Sequence, residues 1–168
     1  MEPKPPANRY EHAQPGDMLH MDIKKLPRFD RPGHRMTGNR KQKTFGAGYE
    51  CVDICINDHS RWAYAEVLAD EAQHTTTSFL KRALEAYARI GVTVKRLMTD
   101  NGSAYRSRLF NAALDAAGIK HVYTRPYTPR TNGKAERLIQ TMIREWASAV
   151  PYANSISRHW ALPKWINH

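Results

Sequence analysis

Cysteine is scarce in this sequence. Only Cys51 and Cys55 occur, and four residues apart on one strand they would stand about 13 Å from each other. A disulfide needs Cα atoms within about 7 Å, so a disulfide framework is excluded and both read as small buried hydrophobes. Apolar runs of membrane length are missing, and so is a basic amphipathic helix, so no membrane partner is expected. No leader is visible in the polar, proline-rich start Met1-Glu2-Pro3-Lys4-Pro5-Pro6, which makes a reducing cytoplasm the expected compartment. Acidic residues are also short: 16 stand against 26 Lys and Arg, for a net charge of +10 and a pI near 9.8. That balance implies a polyanionic partner, nucleic acid before membrane.

What is present suits a folded domain. The chain has 168 residues, 41% hydrophobic and 10% aromatic, enough for one domain with a real core. Its charge is uneven. Residues 1–48 carry a net +5, residues 49–119 a net −1, residues 120–144 a net +5 and residues 145–168 a net +1. Two basic segments thus flank a neutral middle, as expected if they fold to one surface around a core.

The chain divides into a linker over residues 1–16, a core over 17–150 and a C-terminal extension over 151–168, expected to be truncated. Residues 18–24 alternate, with Leu19, Met21 and Ile23 on one face and His20, Asp22 and Lys24 on the other, the signature of a half-buried strand. Residues 27–48 form a long loop with six Lys or Arg, a length at which loops are often functional. An apolar run over 49–57 reads as a buried strand, Asp58-His59-Ser60 as a turn, and 62–68 as a third strand. Helices are expected over 73–90 and 106–117, stopped by Gly91 and Gly118. Strands are expected over 92–98 and 119–124. From Ala135 the positions Leu138, Ile139, Met142, Ile143 and Trp146 recur at helical spacing. Asn132 is placed to cap that helix, and a weaker helix follows Ser155. The order βββ-α-β-α-β-α predicts an α/β fold: a mixed five-stranded sheet, three antiparallel strands then two parallel, flanked by helices.

Three carboxylates fall at telling places. Asp22 lies on the outer face of the first strand. Asp100 ends the fourth, where ligand sites of α/β sheets gather. Glu136 stands off the apolar stripe of the helix that follows Pro129, the single acid in residues 120–144. Thirty-five residues separate Asp100 from Glu136.

These residues carry a family resemblance. Asp22 in His-Met-Asp-Ile-Lys, Asp100 in Thr-Asp-Asn-Gly-Ser-Ala-Tyr, and Glu136 in Pro-Tyr-Thr-Pro-Arg-Thr-Asn-Gly-Lys-Ala-Glu-Arg resemble the DDE triad of the integrase-core superfamily. That group holds bacterial insertion-sequence transposases and retroviral integrases, and the spacing matches its D,D-35-E pattern. The turn Ile56-Asn57-Asp58-His59-Ser60-Arg61 is similar to the family's post-strand turn. The resemblance covers about residues 17–150 and is nearest to bacterial insertion-sequence transposases. The family's N-terminal helix-turn-helix region has no counterpart here, so the chain looks like an isolated catalytic core.

The resemblance implies a ribonuclease-H-like fold and a metal-dependent polynucleotidyl transferase that nicks DNA at element ends and joins 3′-OH ends to target DNA. Three carboxylates form a hard oxygen site suited to Mg²⁺ or Mn²⁺. By resemblance Asp22 would bridge two ions, with Asp100 and Glu136 binding one each. Lys24, Arg130, Lys134 and Arg137 are the candidates for DNA phosphate contact. Asn101 and Asn132 are read as shaping their loops, and His20 and His121 as weak ligand candidates beside a sufficient oxygen set. The expected partners are DNA ends, target DNA and further copies of the chain, in a bacterial, nucleoid-associated setting. A metal-dependent nuclease of the same fold and a non-catalytic DNA-binding remnant are the alternatives.

Overall fold

The computed structural model describes residues 12–32, 38, 48–124 and 132–167. Its strands are β1 (Leu19–Pro27), β2 (Tyr49–Asn57), β3 (Ala63–Leu68), β4 (Arg96–Thr99) and β5 (Lys120–Tyr123). They form one sheet in the order β3-β2-β1-β4-β5. β1 and β3 flank β2 antiparallel, while β4 lies parallel to β1 and β5 parallel to β4. The helices are α1 (Gln73–Arg89), α2 (Arg108–Ala116), α3 (Gly133–Met142) and α4 (Ser155–Ile166). This is the mixed, helix-flanked sheet of the ribonuclease-H-like fold expected from the strand order. No helix among the described residues is long and apolar enough to cross a membrane.

The sheet is covered on both faces, and this changes the reading of β1. Met21 and Leu19 pack on one face with Phe79, Leu80, Ala83 and Tyr87 of α1 and with Phe110 and Leu114 of α2. Val52, Ile54 and Ile56 pack on the other face with Ala135, Ile139, Met142, Trp146 and Leu162. β1 is therefore a central strand, and His20, expected toward solvent, is buried. Each fully buried Phe, Leu or Met contributes about 1.5–3 kcal/mol of transfer free energy. The Tyr87 hydroxyl donates to the carbonyls of Cys55 (3.0 Å) and Trp62 (2.9 Å), so α1 also clamps the β2–β3 turn. Cys51 and Cys55 are buried free thiols, as their spacing implied.

Several element bounds differ from expectation. β4 is four residues long, not seven. The Val92 amide is taken by the Tyr87 carbonyl closing α1, and the Lys95 amide by the Gly16 carbonyl, so the ladder starts only at Arg96. Gly16 is required there: its φ is +86°, and a Cβ would lie 2.1 Å from the Thr93 carbonyl oxygen. α2 begins at Arg108, two residues late, because the Ser107 hydroxyl accepts the Phe110 N–H as a cap. α3 ends at Met142 and continues as a π-helical turn over Ile143–Ala147, which keeps Trp146 buried with its Nε1–H donating to the Arg158 carbonyl (2.9 Å). α4 continues past Pro163 to Ile166. Most of the basic loop, residues 33–37 and 39–47, lies outside the described residues.

Candidate active site

The last residue pair of the β1–β4 ladder is His20 with Met98. Asp22 and Asp100 each stand two residues further on, Asp22 within β1 and Asp100 just past the end of β4. Both line a small cleft of about 140 Å³, together with Glu71, Gly102, Ser103 and Tyr105. Local backbone aims the two carboxylates. Asp22 Oδ1 accepts the Ile23 N–H at 2.8 Å, and Asp100 Oδ1 accepts the Gly102 N–H at 2.8 Å. A Cβ at residue 102 would sit 2.9 Å from that same oxygen, so any larger residue there would push the Asp100 carboxylate out of this position. Asn101 shapes the loop as read, its side-chain amide donating to the Thr124 carbonyl.

Glu136 is exposed in the first turn of α3. Its charge reaches Asp22. Burial first, and then the neighbouring Asp100 and Glu136 carboxylates, push the Asp22 carboxyl up to about 6, against a lowering bond from the Ile23 amide. Asp22 and Asp100 thus share one cleft, and Glu136, exposed on α3, acts on Asp22 through its charge. As placed, no three His, Cys, Asp or Glu side chains among the described residues close around a single point in a way that could hold a metal ion. The donor chemistry nevertheless fits a hard divalent cation: all-oxygen ligands crowded against like charge, one of them half-buried.

Beneath this cleft lie polar groups that the sequence reading did not pick out. Asp53 is fully buried on β2, beside Ile23 in the ladder. Neither of its carboxylate oxygens has a hydrogen-bond partner. Burial, reinforced by Glu66 and Glu71, pushes its carboxyl up to about 8, so it is a neutral acid at pH 7. The Tyr105 hydroxyl is also buried without a partner, and burial followed by Asp53 holds its pKa well above the ordinary phenol value. Glu71, a fourth carboxylate at the cleft, is held by Lys25 Nζ at 2.6 Å. The only sequence signal for Glu71 was its place just before a helix, and Asp53 interrupted an otherwise apolar run without drawing notice.

A second polar cluster joins β1, the β2–β3 turn and the start of α3. His20 Nε2 lies 3.0 Å from Asp58 Oδ1, and His20 Nδ1 lies 3.1 Å from the side-chain amide of Asn132. A carboxylate only accepts, so Nε2 carries the proton; Nδ1 faces the side-chain oxygen of Asn132, which pairs with a neutral ring only when that amide is turned to present its NH₂ group. Burial lowers the His20 pKa and favours that neutral form. Lys134 Nζ lies 2.6 Å from Asp58 Oδ1 and donates to the Asp58 carbonyl at 2.8 Å. Burial alone would raise the Asp58 carboxyl, but bonds from the His12 amide, Lys134 and His20 outweigh it and hold the group below the usual carboxylate range.

This cluster corrects two expectations. Asn132 makes no capping bond to α3, because its side chain is turned to His20. Lys134 does not stand on an open basic face but is drawn inward to Asp58. Among the other DNA-contact candidates, Lys24 and Arg137 are exposed and Arg130 lies outside the described residues. His20 is engaged by Asp58 and Asn132, and His121 by Asn111 (2.7 Å) and Thr99 (2.8 Å). The motif signal for Asp58 was present in Asn-Asp-His-Ser-Arg, but spacing alone could not pair it with a lysine 76 residues away.

Comparison with known proteins agrees with this fold. The retrovirus-related Pol polyprotein from transposon TNT 1-94 of Nicotiana tabacum is 35% identical over 107 residues, covering 62% of this chain and 8% of that protein. The chain thus spans less than a tenth of that relative's length. The simian T-cell lymphotropic virus intasome structure contains a chain with TM-score 0.67 and 22% identity, covering 96% of this chain and 52% of that one. The catalytic core domain of BIV integrase aligns with TM-score 0.55 and 16% identity, over 79% of this chain and 70% of that one. At these identities the two structures speak for the fold. Residues 12–129 match the integrase core domain family, and residues 117–168 match a second pattern described in the same words. The chain belongs to the integrase core domain family.

Proposed function

We propose that the chain is the catalytic core of a DNA transposase of the bacterial insertion-sequence type, with Asp22, Asp100 and Glu136 as its metal-binding catalytic carboxylates. The observation that carries this reading is the single cleft lined by both Asp22 and Asp100, where burial and the Asp100 and Glu136 charges push the Asp22 carboxyl up. Carboxylates gathered at one cleft repel one another unless a cation is shared among them. Two divalent ions, Mg²⁺ or Mn²⁺, supply stabilisation of the attacking and leaving oxygens of an in-line displacement at phosphorus when bound.

The residues of the chain divide the remaining work. The Ile23 and Gly102 amides orient Asp22 and Asp100. Helix α3 presents Glu136 from the other side. Exposed Lys24 and Arg137 neutralise DNA phosphates, which fits the net charge of +10. The chemistry is nicking at element ends and joining of the 3′-OH to target DNA, carried out by an assembly of several copies. The motif Thr128-Pro129-Arg130-Thr131-Asn132-Gly133 and the 35-residue gap favour joining over a cutting-only nuclease.

The test is nicking of supercoiled plasmid in Mn²⁺ by the wild type and by Asp100→Asn. The wild type nicks and the variant, still folded, does not. A variant that nicks at the wild-type rate would remove Asp100 from the triad and with it this reading.

A further inference from the structure

Helix α3 enters the fold in an unusual way. Its cap position makes no cap bond. A lysine stands in its first turn, where the helix dipole disfavours a cation. The apolar anchor of that turn is Ala135 alone, since Leu138 is half-buried and the next fully inserted side chain is Ile139. Something else must hold the turn, and the contacts name it. Lys134 gives up most of its solvent, with 18% of its side chain exposed, to reach an Asp58 that is 4% exposed. Asn132 reaches His20 in the same cluster. The His12 amide closes on the remaining Asp58 oxygen at 2.9 Å. Asp58 thus ties together the segment before β1, β1 itself and α3.

The consequence falls on Glu136. Residues two apart on a helix point about 200° away from each other. Fixing Lys134 on the Asp58 side therefore fixes Glu136 on the opposite side of the same turn, exposed and within electrostatic reach of Asp22. We infer that Asp58 is a positioning residue for Glu136: through Lys134, and through His20 with Asn132, it locks the first turn of α3 against β1. This rests on the phosphoryl-transfer reading only in giving Glu136 a task; the lock itself is a matter of contacts. Desolvating a lysine and an aspartate for structure alone is seldom favourable over an apolar pair, which is why a directional role accounts for it better.

The test uses the full chain with Lys134→Met, and with Asp58→Asn as a milder variant that leaves an acceptor in place. Amide hydrogen exchange reads the lock without metal. Exchange at 137–140, whose amides bond back into the first turn, should speed up about tenfold or more relative to α1. Mn²⁺ binding reads the consequence: the dissociation constant should rise about tenfold or more, as for other residues that orient a ligand. In a Glu136→Gln background Lys134→Met should add no further loss, because the two act as one unit. Unchanged exchange in α3, or an equal loss of Mn²⁺ affinity with and without Glu136, would overturn the inference. A wild type that binds no Mn²⁺ would instead overturn the metal reading, while the exchange result still decides the lock.

Discussion

The two faces of the sheet treat buried charge in opposite ways. On the α3–α4 face, His20, Asp58, Lys134 and Asn132 engage one another within 2.6–3.1 Å. Arg158 there bonds Glu50 at 2.7 Å and the Pro27 carbonyl at 2.8 Å, and stands over the Phe29 ring. On the α1–α2 face, Asp53 and Tyr105 are buried with no partner for the carboxylate oxygens or the hydroxyl. Asp22 lies at the boundary, its carboxyl raised by burial and by like charge. A paired buried charge fixes geometry; an unpaired one stores repulsion or stays neutral. The first face thus reads as the frame of the site and the second, with the cleft, as its working part.

That contrast can be broken by mutation. The largest effect is expected at Arg158→Met, which leaves Glu50 buried and unpaired: a loss of about 3–5 kcal/mol in denaturant unfolding. Little or no loss would show that this face is not held by its polar pairs.

Next comes Asp53→Asn. The Asp53 carboxyl is raised to about 8, so the folded state retains its proton while the unfolded state has lost it. The stability from that proton is complete below about pH 4, declines as pH rises and is gone above about 8. Asp22 ceases to contribute above about 6, and the lowered His20 and His121 are common to both proteins, so the difference in slope between pH 6 and 8 reports Asp53. There the wild type should lose about 1 kcal/mol per pH unit that the variant does not. Equal slopes in both proteins would mean that Asp53 is ionised or partnered.

Asp22→Asn should stabilise the metal-free protein at pH 8 by about 1–2 kcal/mol, because it removes a carboxylate that burial and two like charges oppose. The smallest effect on stability belongs to Lys24→Ala and Arg137→Ala, within about 0.5 kcal/mol for exposed side chains. Each should lower the slope of log DNA affinity against log salt by about 1. An unchanged slope would take that residue off the DNA-contact surface.

Much of this was legible in the chain. The period of two in β1, the mostly apolar run of β2 and the 3.6-residue stripes of α1 and α3 report which side chains must leave water, and that is local information. Asp22 was placed on the outer face of its strand and Asp100 at the end of another, and their meeting at one cleft was expected only from the family resemblance. What was not legible depends on partners distant in sequence. Lys134 read as a candidate for DNA phosphate contact because nothing nearby shows that Asp58 waits across the fold. Asn132 read as a cap because the competing His20 is 112 residues away. β4 read long because Val92 and Val94 look like strand residues, whereas the Val92 and Lys95 amides bond outside the ladder. Glu71 carried only a weak signal, and Asp53 only that of an acid in an apolar strand.

The most direct test of the central claim is thermal unfolding at pH 8 against Mn²⁺ concentration, for the wild type and Asp22→Asn side by side. Without metal the variant should melt higher. As Mn²⁺ rises the wild type should gain stability in a saturable way, by about 2.7 kcal/mol at a hundred times its dissociation constant, and overtake a variant that barely responds. Crossing curves are what three carboxylates awaiting a shared cation predict. Parallel curves, or a wild type that is the more stable of the two from the start and indifferent to Mn²⁺, would contradict it.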